Sequence, residues 1–460
     1  MSIGSVGRLH PEAETFCGKF EQVSFNAIRD VLPDTAIVQA CREEDYGYRE
    51  RKITPVLTVL HMLLAAIWPE HSFQASWCVM WETCVSHFPR LQGRCPSRGS
   101  LADARARMPI GVWRRIFTWV RRNAEEHSRA FDHWKGHRVV LADGTCVSMA
   151  DQPELKEAFG VNTGHHGAGR YPLARVVTLC LAGTRVILDY AIGRYNQGEV
   201  ALMFPLLNHL GKGDLLLADR HFAGAHYYVR YQRHGLEFLT RAHQCLKISR
   251  IKRQFEYTPT DFVGTLQVNK TYRQTDPSLP KSLAVRFVRA SLPIRGRRHM
   301  VWFATSLLDR KRYPTAELVA LYARRWRIET LLREVKIDLA ADILRSQTPT
   351  GIRKEMIARL TALNIVRTLI LQAAQAGDLD PLRISFVETL RTILSFSAVL
   401  ASAPVLALPE LQHAMLVEIA GHVTPERPGR LEPRYLTRER KHYPALRRQT
   451  RAQWRAKHAA

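Results

Sequence analysis

The chain has 460 residues, 46% of them hydrophobic, and a formal charge of +25 at pH 7, with a sequence pI near 10.1. That apolar content excludes a disordered polymer and is enough for two or three domain cores, while the excess of cations points to a polyanionic partner, nucleic acid being the commonest. The eight cysteines, Cys17, Cys41, Cys78, Cys84, Cys95, Cys146, Cys180 and Cys245, stand singly without a C-x-x-C pair, which excludes zinc spacing and reads as reduced thiols.

The start MSIGSVGRLH lacks the apolar core of a signal peptide, and no run approaches the ~18 apolar residues of a membrane span; the expectation is a soluble, cytoplasmic protein with no membrane partner. From 23 to about 130 the apolar spacing of three and four, as in ITPVLTVLHMLLAAIW and VWRRIFTWV, predicts helices. Between those runs, PSRGSLADARARM offers Ser100 as an N-cap and Arg105 and Arg107 on a short helix, a pattern compatible with a helix-turn-helix reader of DNA and equally with plain helical packing.

From His137 the period changes. RVVLAD, ARVVTLCLAG and RVILDYAIGRY read as three antiparallel strands, the last two separated by Gly183 and Thr184. A helix from Glu199 to Leu210 follows, then the strand LLLAD, a helix from about Ala223 to Arg233, and the strand LEFLTRA. This order, β-β-β-α-β-α-β, closed by a helix, resembles a ribonuclease-H-like core, an α/β fold with a mixed sheet flanked by helices. Between Arg241 and Ser306, short alternating strands form a mostly β insertion that such a core does not need.

The stretch YARRWRIETLLREVK, 322 to 336, reads as one long helix. At 3.6 residues per turn, Tyr322, Arg325, Glu329, Arg333 and Lys336 fall within ~80° of arc and span ~21 Å, beside an apolar stripe of Leu321, Ile328, Leu331, Leu332, Val335 and Leu339. A lone acid in a basic row reads either as a solvated, ion-paired face or as one member of a metal site whose other ligands lie elsewhere. After Leu371 the pattern is helical to about Ile419, and 427 to 457 is a Pro-, Arg- and Lys-rich tail with few apolar residues, suited to salt-dependent phosphate binding.

In the topology above, the first and fourth strands are neighbours, each ending in an aspartate, Asp143 in LADGT and Asp219 in LLLADRHF. Hard cations such as Mg²⁺ take oxygen ligands, and these two carboxylates with Glu329 can supply them. Each has a plainer reading: Asp143-Gly144 as a turn, Asp219 as an N-cap, Glu329 as an ion-pair partner. Placed together by one topology and flanked by cations, they favour a two-metal site. LADGT also resembles the D-x-D-G-T of aspartyl-phosphate phosphatases, but Leu141 stands at the nucleophile's position and cannot attack phosphorus.

With Tyr322, Arg325, Glu329 and Lys336 matching Y-(2)-R-(3)-E-(6)-K, and with LADGT, DQPELKEAFG, LLLADR and ILRSQTPTGIRKEM around them, the chain from about 50 to 370 resembles the DDE transposases of bacterial insertion sequences, in the insertion-sequence-four group. The resemblance implies Asp143, Asp219 and Glu329 as catalytic residues holding two Mg²⁺ ions, with Mn²⁺ a substitute. It implies Tyr322, Arg325, Lys336 and Arg333 as contacts to double-stranded DNA, at the terminal inverted repeats and at the target. Trp302 stands where some relatives stack a tryptophan on a flipped base, although a tryptophan in an apolar strand also reads as core. A nucleoid-associated homodimer joining two ends is implied as well. A relative that binds DNA without catalysis would lack a carboxylate, and all three are present. The expected layout is a helical DNA-end-binding region over 1 to 130, the two parts of the catalytic core over 131 to 240 and 307 to 371, the insertion over 241 to 306, and C-terminal helices with a basic tail over 372 to 460.

Overall fold

The β-branched runs of the middle of the chain join one mixed sheet of twelve strands. In this computed structural model the described residues are 26 to 48, 53 to 87, 95 to 164, 167 to 294, 297 to 403 and 405 to 425. The chain divides into two compact units, Met1–Thr424 and Pro425–Ala460, and every element below belongs to the first. The basic tail from 427 lies outside the described residues.

The strands are β1 (His133–Trp134), β2 (His137–Met149), β3 (Val161–Gly164), β4 (Gly167–Leu181), β5 (Ile187–Arg194), β6 (Leu215–Ala218), β7 (Glu237–Arg241), β8 (Lys252–Thr258), β9 (Asp261–Gln267), β10 (Ser282–Ile294), β11 (Arg297–Thr305) and β12 (Ile343–Leu344). Their order is β3-β4-β2-β6-β7-β11-β10-β9-β8, with β1 and β12 also on β2 and β5 on β4. β2 and β6 pair in parallel, Leu141 opposite Leu217 and Ala142 opposite Ala218, so the two aspartate-bearing strands are neighbours. The strands of 241 to 306 extend this same sheet, because β11 pairs antiparallel with β7.

Alternation along the central strands divides the interior in two. Val139, Leu141, Leu215 and Leu217 enter one apolar core, shared with the N-terminal helices; Val140, Ala142, Leu216 and Ala218 enter the other. The N-terminal helices are α1 (Asn26–Val31), α2 (Asp34–Glu43), α3 (Pro55–Ile67), α4 (Phe73–His87), α5 (Arg98–Arg107) and α6 (Ile110–Ser128). Thr54 caps α3 by accepting from Leu57 N at 3.2 Å, and Pro55 takes the first helical position, where it has no amide to leave unpaired. In α5 the cap is Ser97, whose hydroxyl accepts from Ser100 N at 3.2 Å. This corrects the expected Ser100 cap, since the helix starts before Gly99 and Ser100 supplies the capped amide.

The other helices are α7 (Pro153–Phe159), α8 (Glu199–Met203), α9 (Ala225–Arg233), α10 (Lys270–Thr275), α11 (Thr315–Ala323), α12 (Trp326–Arg333), α13 (Pro349–Ala376), α14 (Phe386–Ser402) and α15 (Leu408–Gly421), of which the last two pack on α13 and on each other. By length and composition α13 could cross a bilayer, contrary to the expectation that no run approaches that length, but 94% of its apolar window is buried inside the protein. One of its buried polar residues, Asn364, bonds both the amide and the carbonyl of Ile187, each at 2.9 Å.

Candidate active site

The expected long helix over 322 to 336 is three pieces. α11 ends at Ala323, Arg324 and Arg325 make tight turn bonds to Leu321 and Tyr322 (2.9 Å each), α12 restarts at Trp326, and 334 to 338 is a π turn. The break rotates Tyr322 out of the charged row. Tyr322 is 1% exposed, packs edge-on against Phe303 at 5.0 Å, and donates its hydroxyl to Ala218 O at 3.3 Å, so it braces the end of β6 and is not presented to solvent. Burial raises its phenol pKa well above the ordinary value.

Arg325 is the hub. Only 7% exposed, it places Nη2 2.9 Å from Glu329 Oε1, one turn ahead on α12, and Nη1 3.6 Å from Asp143 Oδ2 on β2. Asp143 does not close its strand as expected; β2 runs on to Met149 beside β4, while the neighbouring β6 stops at Ala218. The shorter neighbour leaves that edge of β2 unpaired from Asp143 to Val147, before β12 joins it at Ser148. Asp143 Oδ1 accepts from Gly144 N at 2.8 Å. Asp219 sits where β6 gives way to a 3₁₀ turn and accepts from His221 N at 2.8 Å, so the N-cap reading of this residue describes its local bond. Two positions beyond Leu141 and Leu217, both aspartates lie on the sheet face covered by α11 and α12.

A fourth carboxylate adjoins them. Glu199, at the start of α8, lies against Gly144, where a Cβ would come within 2.8 Å of its carboxyl carbon. Glycine here permits close approach, not a turn. Glu199 Oε1 is held by Arg175 Nη1 at 2.9 Å. The sequence carries no signal for this role, because an acid opening a helix reads simply as a complement to the helix dipole.

Burial pushes the Asp143 carboxyl up to about 6; the Gly144 amide and Arg325 pull it down, and Glu199 and Asp219 push it up again. Among the described residues no three Asp, Glu, His or Cys side chains are gathered closely enough to hold an ion. The donor set still fits a hard divalent cation: the ligands are oxygen, the carboxylates repel one another, and Arg325 already stands as a cation between two of them.

The remaining expected contacts are dispersed. Lys336, half-buried in the π turn, is near enough to Cys146 on β2 for its charge to oppose the rise that burial imposes on that thiol. Arg333 is exposed and pairs with Asp338 at 3.4 Å. Trp302 shares the opposite sheet face with Ala304, its ring edge-on to Phe262 at 5.9 Å, so it is not brought to the carboxylates. Arg105 is turned inward over Phe73 at 4.2 Å and not outward as a groove reader would be.

Residues 134–365, just over half of the chain, match the family model of the Transposase DDE domain. The chain belongs to the DDE transposase family. It is 26% identical over 329 residues to Transposase InsG for insertion sequence element IS4 of Escherichia coli (strain K12), covering 68% of this chain and 70% of that one. Putative transposase InsZ of the same strain is 29% identical over 129 residues, which are 27% of this chain and 42% of that relative. Among solved structures, the piggyBac transposase synaptic complex with hairpin DNA aligns with a TM-score of 0.42 at 11% identity over 87% of this chain and 85% of that chain, a likeness too loose to bear on the site.

Proposed function

We propose that this DDE transposase, built on a ribonuclease-H-like core, works by cut and paste. It binds the inverted-repeat ends of its insertion sequence as a homodimer, cleaves phosphodiester bonds there, and joins the freed 3′-hydroxyls to target DNA. The observation that carries the reading is Arg325 bridging Asp143 and Glu329 on the sheet face that also bears Asp219. Asp143, Asp219 and Glu329 would hold two Mg²⁺ ions, which when bound supply a nucleophile at neutral pH and stabilise a leaving oxygen. In each displacement the oxygen of water or of a 3′-hydroxyl gives up a proton and forms a P–O bond, while the bond to the leaving 3′-oxygen breaks and that oxygen takes up a proton. Tyr322 acts as a positioning residue through its bond to Ala218 O. Arg325, with a planar fork, takes a DNA phosphate beside the carboxylates, and Lys336 and Arg333 add point charges farther along the backbone.

Lysine keeps the charge of Arg325 but has one nitrogen in place of the two that reach Asp143 and Glu329 separately. Arg325→Lys is therefore expected to slow cleavage about ten- to a hundredfold with little change in binding, and Lys336→Arg to remain near parental. The measurement is single-turnover cleavage of a labelled duplex carrying the element's own end, with Mg²⁺, beside binding at the same salt. Equal, near-parental rates for both would sink the assignment.

Deleting residues 427 to 460 is expected to weaken DNA binding and to flatten its dependence on salt, the log-log slope falling by ~0.9 for every phosphate that the tail neutralises in the full chain. An unchanged slope would show that the tail does not touch DNA.

A further inference from the structure

The cysteines stand singly in the sequence, yet the fold brings two of them into contact. Cys78, in α4, and Cys95, in the extended lead into α5, are 17 positions apart and place their sulfurs 3.9 Å from each other. Both are thiols, and both are only half-buried, which leaves them accessible to small reagents, whereas Cys41 and Cys180 are 1% and 0% exposed. The sulfurs of a disulfide lie ~2.05 Å apart, so each of these two would travel only about 1 Å to form one.

Their surroundings differ. Cys78 is fixed on a helix and accepts a hydrogen bond from Gln74 Nε2 at 3.2 Å, one turn earlier, which favours its thiolate. Cys95 lies ahead of the N-cap Ser97, outside the helix, and its thiol donates to Pro96 O at 3.7 Å. Cys78 is thus placed to attack first and Cys95 to follow. The far ends of the two elements are held by one neighbour. Ahead of α4, Arg345 donates to His71 O at 2.6 Å and to Pro69 O; at the end of α5, Lys354 donates to Arg105 O and Ala106 O at 2.9 Å each. Arg345 lies just ahead of α13 and Lys354 in its first turns. A bond from Cys78 to Cys95 closes a covalent loop between these two anchored ends.

We propose that Cys78 and Cys95 are a modification site, a reversible disulfide formed by exchange with a small disulfide such as oxidised glutathione. The Cys78 thiol gives up its proton and its sulfur attacks one sulfur of the oxidant, leaving a mixed disulfide and expelling a small thiolate that takes up a proton. The Cys95 thiol then gives up its proton and attacks the Cys78 sulfur, expelling the second small thiolate, which is protonated in turn. Two protein thiols are oxidised to one disulfide, and one small disulfide is reduced to two thiols. The product locks α4 to the lead into α5, and an added dithiol reverses it.

The test uses the full chain without DNA or metal, so its outcome is independent of the catalytic reading. Parent, Cys78→Ser and Cys95→Ser are equilibrated with reduced and oxidised glutathione, the remaining thiols are alkylated, and unreduced peptides are mapped by mass spectrometry. Proteolysis of the native protein between positions 69 and 109 is timed alongside. The parent should yield peptides joined through Cys78 and Cys95 and lose that link in dithiothreitol, and its oxidised form should be cut in this region about tenfold more slowly than the reduced form. Cys95→Ser should stop at the mixed disulfide on Cys78, and neither variant should gain the slower cutting. If Cys78 and Cys95 are alkylated separately after the oxidant, if either is joined to Cys84 instead, or if both forms of the parent are cut equally fast, the inference is wrong. The parent's own peptides and cutting rates decide even where a serine variant fails to fold.

Discussion

Alanine at Asp143, Asp219 or Glu329 is expected to reduce strand cleavage by about a thousandfold or more while DNA-end binding stays near parental. Metal-ligating carboxylates act on the transition state, where the loss of several kcal/mol removes a factor of ten per ~1.4 kcal/mol, whereas affinity for DNA comes from phosphate contacts. The three positions separate catalysis from structure. Glu329 has a side chain 54% exposed and its loss costs the fold little, while Arg325 would still face Asp143. Asp143 is more informative, because its carboxyl is held near pKa 6, above the ordinary carboxylate value of 3.8. A raised folded-state pKa means that the native protein binds more protons than the unfolded chain between about pH 4 and 6, so stability falls as pH rises through that window and is flat above it. Asp143→Asn, which can still accept from Gly144 N, should therefore abolish cleavage yet leave the protein as stable as the parent or more so at pH 7, with a weaker pH dependence below 6. That outcome would mark Asp143 as a residue whose burial lowers stability at the proposed site of chemistry. Single-turnover cleavage, binding and denaturant midpoints at pH 5 and 7 check it; near-normal cleavage by any of the three alanine variants would overturn the site.

The second large effect is on stability. Glu334→Ala is expected to destabilise the protein by about 3–5 kcal/mol. Glu334, at the start of the π turn and 2% exposed, pairs with Arg185 Nη1 at 2.5 Å and with Arg367 Nη2. Both guanidiniums are themselves buried, at 8% and 0% exposed, and Arg185 Nε with Arg367 Nε and Nη1 have no other partner among the described residues. Removing the carboxylate strands two cations in the interior, which is where the cost arises; the intact triad need not stabilise the fold relative to an apolar replacement. Its location links it to function, since it ties the segment that carries Glu329 to α13 and to the β4–β5 turn, where Arg185 holds a φ of +60°. Denaturant unfolding followed by circular dichroism measures the effect. A midpoint unchanged from the parent would mean that the two arginines do not depend on Glu334.

Local patterns carried much of this protein. RVVLAD and LLLAD could be read as strands because continuous apolar, β-rich runs between breakers have few other uses, and their pairing places Asp143 and Asp219 side by side. The spacing from Tyr322 to Lys336 marked the family because the whole signature lies within one short stretch of the chain. The break at Arg324 and Arg325 was not legible: every residue there is a tolerable helix former, and the bend follows from Tyr322 packing under Ala218 O, a partner about a hundred positions away. Glu199 is likewise decided by what it lies against, the missing side chain of Gly144 on β2. Arg105 has the same charge whether it faces a DNA groove or the ring of Phe73, and only the packing of α5 against α4 and the entry to α13 turns it inward. Periodicity records which residues seek burial along one element, while burial itself, and the pairing of charges within it, depends on elements the chain brings together from far apart.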